Sequence, residues 1–84
     1  MINKNIELVR QILTQSIEIS SSTIIDIFVE YSSHTKGFNV RVMKEGWKEQ
    51  PTTDLNKTIY IDWPGSEEEL NKVLDYLNKL KEEN

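Results

Sequence analysis

Eighty-four residues give room for one domain, residues 1–84, and no more. The chain has no Cys, which excludes disulfides and thiolate metal sites, so its stability rests on apolar packing or on a partner. Its net charge of −4 at pH 7 repels polyanions on average, and DNA, RNA or anionic membranes are expected partners only if a local basic patch overrides that charge.

No apolar run approaches the length of a bilayer span, and Met1-Ile2-Asn3-Lys4 lacks an apolar signal core, so the expected location is cytoplasmic. Ala is absent while Ile, Lys and Asn are abundant. Ala codons are GC-rich and the other three AT-rich, so the composition points to an AT-rich genome, such as a low-GC bacterium or one of its phages or mobile elements.

Residues 4–18 read as a helix in which Ile6, Val9, Leu13 and Ile17 recur at spacings of three and four, with Leu8 and Ile12 widening the stripe. Asn3 or Asn5 is expected to cap its start, and the run Ser20-Ser21-Ser22 to break it. Residues 23–32 read as a strand with Ile25, Ile27, Val29 and Tyr31 on one face and Asp26, Phe28 and Glu30 on the other. His34-Thr35-Lys36-Gly37 is a turn in which Gly37 supplies the positive φ. The return strand, 38–45, places Phe38, Val40 and Val42 on one face. Such a loop sets Tyr31 opposite Val40, Val29 opposite Val42, Glu30 opposite Arg41 and Phe28 opposite Met43.

Gly46 ends or bulges that strand, and Trp47 to Asn56 reads as a loop. Residues 57–62 form a third strand with Ile59 and Ile61 inward and Thr58 and Tyr60 outward. Trp63-Pro64-Gly65 turns the chain into a helix over 67–81, capped by Ser66 with Glu69 three positions on, and with Leu70, Val73, Leu74, Leu77 and Leu80 as its buried stripe. The predicted class is α+β in the order α-β-β-β-α: a three-stranded antiparallel sheet with two helices packed on one face.

Nothing along this order assembles a catalytic constellation. His34 is the sole His and sits in a turn, no nucleophile elbow surrounds any Ser, and the three Gly residues are too scattered for a phosphate loop. Asp26 and Glu30 share a strand face on the order of 13 Å apart, too far to couple. No catalytic residue, metal or cofactor is expected, and the chain reads as a non-enzyme.

Two other features suit recognition. Asp62, Glu67, Glu68 and Glu69 lie within eight residues; they complement a helix dipole, or else imitate phosphates and dock in the basic channel of a nucleic-acid enzyme. Phe28, Met43 and Tyr60 project from the outer sheet face, with Trp47 and Trp63 at its margins. Phe28, Met43 and Tyr60, joined by Trp47, form an apolar patch rimmed by Asp26, Glu30 and Arg41, which marks an interface if left uncovered and core if a loop or helix folds over it. A self-paired sheet edge or face would give a homodimer. The basic residues Lys36, Arg41, Lys44, Lys48 and Lys57 gather around the hairpin and following loop, interrupted by Glu45 and Glu49.

The element order resembles the double-stranded-RNA-binding domain over nearly the whole chain. In that family lysines at the start of the second helix grip phosphates; here the matching positions are Glu67, Glu68 and Glu69, so direct nucleic-acid binding is not expected. As a small, acidic, Cys-free α/β chain, the protein resembles the short inhibitors of phages and mobile elements, anti-CRISPR proteins among them. That resemblance implies stoichiometric blocking of a host nucleic-acid enzyme through the acidic turn and the outer aromatics. The alternatives are a small bacterial housekeeping accessory domain, or a degenerate double-stranded-RNA-binding-like domain that uses the basic hairpin.

Overall fold

A computed structural model describes residues 2–47 and 53–83, with side chains from Lys4 onward. The first helix, α1, spans Ile2–Ser22 and runs straight through the serine run that was expected to end it. The hydroxyls there fold back onto their own helix: Ser21 Oγ donates to the Ile17 carbonyl at 2.6 Å, Ser22 Oγ to Glu18 at 2.9 Å and Thr23 Oγ1 to Ile19 at 2.8 Å. Bonded in this way, serine needs no alternative turn and the helix continues. Three strands follow, β1 (Asp26–Ser32), β2 (Gly37–Met43) and β3 (Leu55–Tyr60), and α2 (Ser66–Glu83) closes the order α-β-β-β-α. The sheet is an antiparallel meander with β2 in the centre. Lys44 and Glu45 turn away after β2, where Gly46, at φ 84, donates its N–H to the Met43 carbonyl at 3.1 Å.

The β1–β2 register differs by two residues from the one the turn suggested. Tyr31 pairs with Phe38, Val29 with Val40, Ile27 with Val42 and Ser32 with Gly37, so the loop is residues 33–36. A shift of two leaves every side chain on its expected face. It wins because it gives Phe38 an apolar neighbour on both sides, Tyr31 and Ile59; the expected register sets Phe38 against Ser33. The roles in the turn change with it. Lys36 takes the left-handed conformation, at φ 62. Gly37 lies within β2 and is needed for space, since a Cβ there would sit 3.3 Å from the Tyr60 ring and 3.1 Å from Thr35 Oγ1. A lysine at positive φ is strained, so Lys36→Gly is expected to stabilise the protein by about 0.5–1 kcal/mol, read as a higher urea midpoint at unchanged m-value.

Both helices cover one face of the sheet. Phe38, Val40, Val42 and Ile59 meet Leu8, Ile12 and Ile19 of α1 and Leu70, Val73, Leu74, Leu77 and Leu80 of α2 in one buried cluster. The α1 contribution corrects the expectation from periodicity. Ile6, Leu13 and Ile17 are 40%, 45% and 55% exposed, while Leu8, Ile12 and Ile19 are buried. The helix carries two apolar stripes, roughly 140° apart around its axis, and spacing alone does not say which of them meets the sheet.

An odd number of antiparallel strands returns the chain in its original direction, so the two helices run parallel. Ion pairs tie them at both ends: Lys4 Nζ lies 3.5 Å from Glu67 at the N-terminal pole, and Glu18 pairs with Lys81 at the C-terminal pole. Lys4 and Glu18 each sit at the end of α1 that its dipole disfavours, whereas Glu67 and Lys81 suit the dipole of α2, so each misplaced charge on α1 is answered across the seam.

Candidate partner-binding surface

The N-terminal pole is built around the turn between β3 and α2. Trp63 N donates to the Tyr60 carbonyl at 3.0 Å and Ser66 N to the Trp63 carbonyl at 3.2 Å, two successive tight turns that lead into the helix. The expected capping box does not form. Gly65, at φ 84, is the cap, with its carbonyl accepting from Glu69 N at 3.2 Å. Ser66 is thereby freed for a tertiary contact: Asn5 Nδ2, inside α1 rather than at its cap, donates to Ser66 Oγ at 2.8 Å and to the Ile61 carbonyl at 2.7 Å. This buried amide pins the start of α1 to the turn. Periodicity gave no hint of it, because an Asn near a helix start reads as a cap.

On this support the Trp63 ring stacks on Tyr60, with centroids 4.6 Å apart and planes 27° from parallel, and Trp63 remains 62% exposed. A cleft of about 220 Å³ on one side of Trp63 is lined by Asn5, Ile61, Asp62, Pro64 and Glu67. A shallower one of about 480 Å³, on the other side, runs along β3 past Lys57, Thr58 and Tyr60 to Glu68, Glu69 and Lys72.

The acidic residues come together here as expected, but they do not stand alone. Glu67 faces Lys4, Glu68 lies 3.8 Å from Lys72, and Glu69 lies 2.7 Å from Lys57 and 3.3 Å from Lys72. The Lys57 hydrogen bond, followed by the Lys72 one, holds the Glu69 carboxyl below its usual 4.5. A depressed carboxyl stabilises the fold above its unfolded pKa, and that contribution is lost as pH falls through the lowered value. Asp62 has no cation partner among the described residues. Four carboxylates therefore share this edge with three ammonium groups, which makes it nearly neutral in sum.

The outer sheet face divides the remaining aromatics. Phe28 is 37% exposed beneath the Arg41 guanidinium, which sits 5.3 Å from the ring centroid and is also paired with Glu30. Met43 is buried at 5% exposure. Trp47 is 61% exposed and donates its backbone N–H to Asp26 Oδ2 at 2.6 Å. Between this end and Tyr60 lies a polar belt, in which Asn39 Nδ2 donates to Asn56 Oδ1 at 3.0 Å and Thr58 Oγ1 at 2.9 Å. The structure thus joins Tyr60, Trp63, Asp62 and Glu67 to Glu69 at one pole and leaves Phe28 and Trp47 at the other, so the expected continuous patch is two separate surfaces.

The basic residues of the hairpin are drawn away in three directions. Arg41 goes to Glu30, Lys57 to Glu69, and Lys44 Nζ lies 5.9 Å from the Tyr76 ring centroid. Lys48 and Glu49 lie outside the described residues. His34 is exposed in the hairpin loop. Among the described residues no three His, Asp or Glu side chains gather closely enough to hold a metal ion, and no helix is long and apolar enough to cross a membrane. No protein-family model, curated protein or solved structure matches this chain.

Proposed function

We propose that this protein is a non-catalytic binding module which docks on another protein through the Trp63 turn. In this reading it acts in the cytoplasm as a stoichiometric blocker of a nucleic-acid enzyme, in the manner of the short inhibitors of phages and mobile elements. The observation that carries the proposal is the Trp63 ring, 62% exposed yet held against Tyr60 and by the turn hydrogen bonds. An aromatic side chain ordered before binding loses little entropy on docking, and such residues dominate interface energies. Asp62, the carboxylate of this edge with no cation partner among the described residues, lines the same cleft as Trp63, which favours a partner pocket that is apolar in its floor with a single cation at its lip. Because Lys4, Lys57 and Lys72 offset the glutamates, the aromatic anchor is a better basis for docking than phosphate imitation.

The test is affinity capture from a low-GC bacterial host, with mass spectrometry to identify what is retained. Trp63→Ala should weaken the captured complex by about 2 kcal/mol or more, roughly 30-fold, while the fold loses no more than about 0.5–1.5 kcal/mol from the Tyr60 stacking, read as a small fall in the urea midpoint. Trp47→Ala, equally exposed at the other pole, should leave it intact. Equal capture by wild type and Trp63→Ala removes the surface from consideration. A resident metabolic enzyme as partner, in place of a defence or replication enzyme, replaces the inhibitor role with that of an accessory subunit.

A further inference from the structure

The smaller cleft beside Trp63 carries chemistry that exposure of the ring does not explain. Asn5 lines it and is 6% exposed. Its Nδ2 is spent on the Ile61 carbonyl and Ser66 Oγ, and Ser66 Oγ itself donates to the Ile61 carbonyl at 3.3 Å. The Asn5 Oδ1 is left buried without a hydrogen-bond donor. A buried acceptor of this kind is uncommon, and in a setting of low dielectric its dipole acts strongly on whatever sits beside it. Asp62 lines the same cleft and has no cation partner among the described residues, while Glu67 next to it is already paired with Lys4. The donors of Asn5 and Ser66 are thus committed, whereas two acceptors, Asp62 and Asn5 Oδ1, are not.

We propose that this cleft receives the guanidinium of an arginine on the partner protein, stacked on Trp63 and paired with Asp62 beside the free Asn5 Oδ1. A phosphate or carboxylate would meet only negative groups here, and an apolar side chain would leave both acceptors unanswered. Among cations, a guanidinium is planar, stacks on an indole and carries five N–H donors, whereas an ammonium is a compact and more strongly hydrated charge. Tyr60 lines the neighbouring groove and not this one, so no second ring of the chain competes for the cleft. At about 220 Å³ the cleft falls below the ~300–1,000 Å³ of sites that enclose free small molecules, and it suits one side chain delivered from a larger surface. The source of the arginine rests on the docking reading above; the cleft's choice of cation does not.

That choice is read without a partner, by proton–nitrogen correlation spectra of the whole chain titrated with N-acetylarginine amide. N-acetyllysine amide and N-acetylnorleucine amide at matched ionic strength are the comparisons. The arginine probe should saturate in the roughly 1–100 mM range and shift the Trp63 indole and the Asp62 amide, while the Trp47 indole at the other pole stays in place. Asp62→Asn, at an exposed position, should weaken binding about threefold to fivefold, and Trp63→Ala should abolish saturation. No saturation with the arginine probe, equal binding of the lysine or norleucine probe, or binding unchanged in Asp62→Asn would each overturn the proposal. Partner capture lost in Trp63→Ala but kept in full by Asp62→Asn would refute the arginine and leave the docking surface standing. Arginine binding together with capture indifferent to Trp63→Ala would support the cleft's preference and fault the docking reading alone.

Discussion

Asn5→Asp is expected to cost about 3–5 kcal/mol at neutral pH, because it places a charge in a buried site where no cation among the described residues contacts Asn5. Asn5 is 6% exposed, and its Nδ2 feeds two acceptors, the Ile61 carbonyl at 2.7 Å and Ser66 Oγ at 2.8 Å. The serine hydroxyl can turn to donate, but the carbonyl cannot. Asn5→Ala removes the same bonds without adding a charge and should cost about 1–3 kcal/mol. The two variants should also differ in their response to pH. The introduced carboxyl would titrate above the ordinary ~3.9 of an unfolded Asp, so its penalty is full above that raised value and shrinks as pH falls through it, when the protonated oxygen can donate to Ile61. Urea denaturation at pH 7 and pH 5 checks this: the deficit of Asn5→Asp should narrow on acidification while that of Asn5→Ala stays constant. Equal deficits at both pH values would show that the amide does not bridge the helix to the turn.

Phe38→Ala should cost about 3–5 kcal/mol, the loss for truncating a buried aromatic. Phe38 is 1% exposed and stands on the central strand, between Tyr31 and Ile59. An 84-residue domain has a total stability of about 4–13 kcal/mol at 0.05–0.15 kcal/mol per residue, so this one substitution removes a large share of it. Phe38→Leu keeps most of the volume and should cost about 1–1.5 kcal/mol. Thermal melts of the two variants side by side measure the difference.

Element order, strand faces and the α2 stripe were legible in the chain because each rests on local periodicity, and the sheet with its two helices on one face followed from them. What escaped prediction depended on contacts distant in sequence. The register was misplaced because a glycine in a turn suggests positive φ, whereas Gly37 answers the Tyr60 ring more than twenty residues away. The Ser66–Glu69 box was plausible locally, but Asn5, 61 residues from Ser66, had first claim on the hydroxyl, and Lys57 had first claim on the glutamate. In α1 both stripes obey the helical period, and only packing against α2 and the sheet distinguishes Leu8, Ile12 and Ile19 from Ile6, Leu13 and Ile17. Of the site residues, the cluster contiguous in sequence (Tyr60, Asp62, Trp63 and Glu67 to Glu69) came together, while those borrowed from other strands were divided by the Asn39 belt.

The parallel course of α1 and α2 dictates where an affinity handle belongs. A fusion placed ahead of α1 emerges beside Lys4 and Asn5, within reach of Trp63 and Asp62, and would obstruct any ligand seated there. One placed behind α2 leaves from the far pole, about 27 Å away along eighteen residues of helix. Immobilising the protein by its tail rather than its head therefore keeps the stacked rings presented to solution.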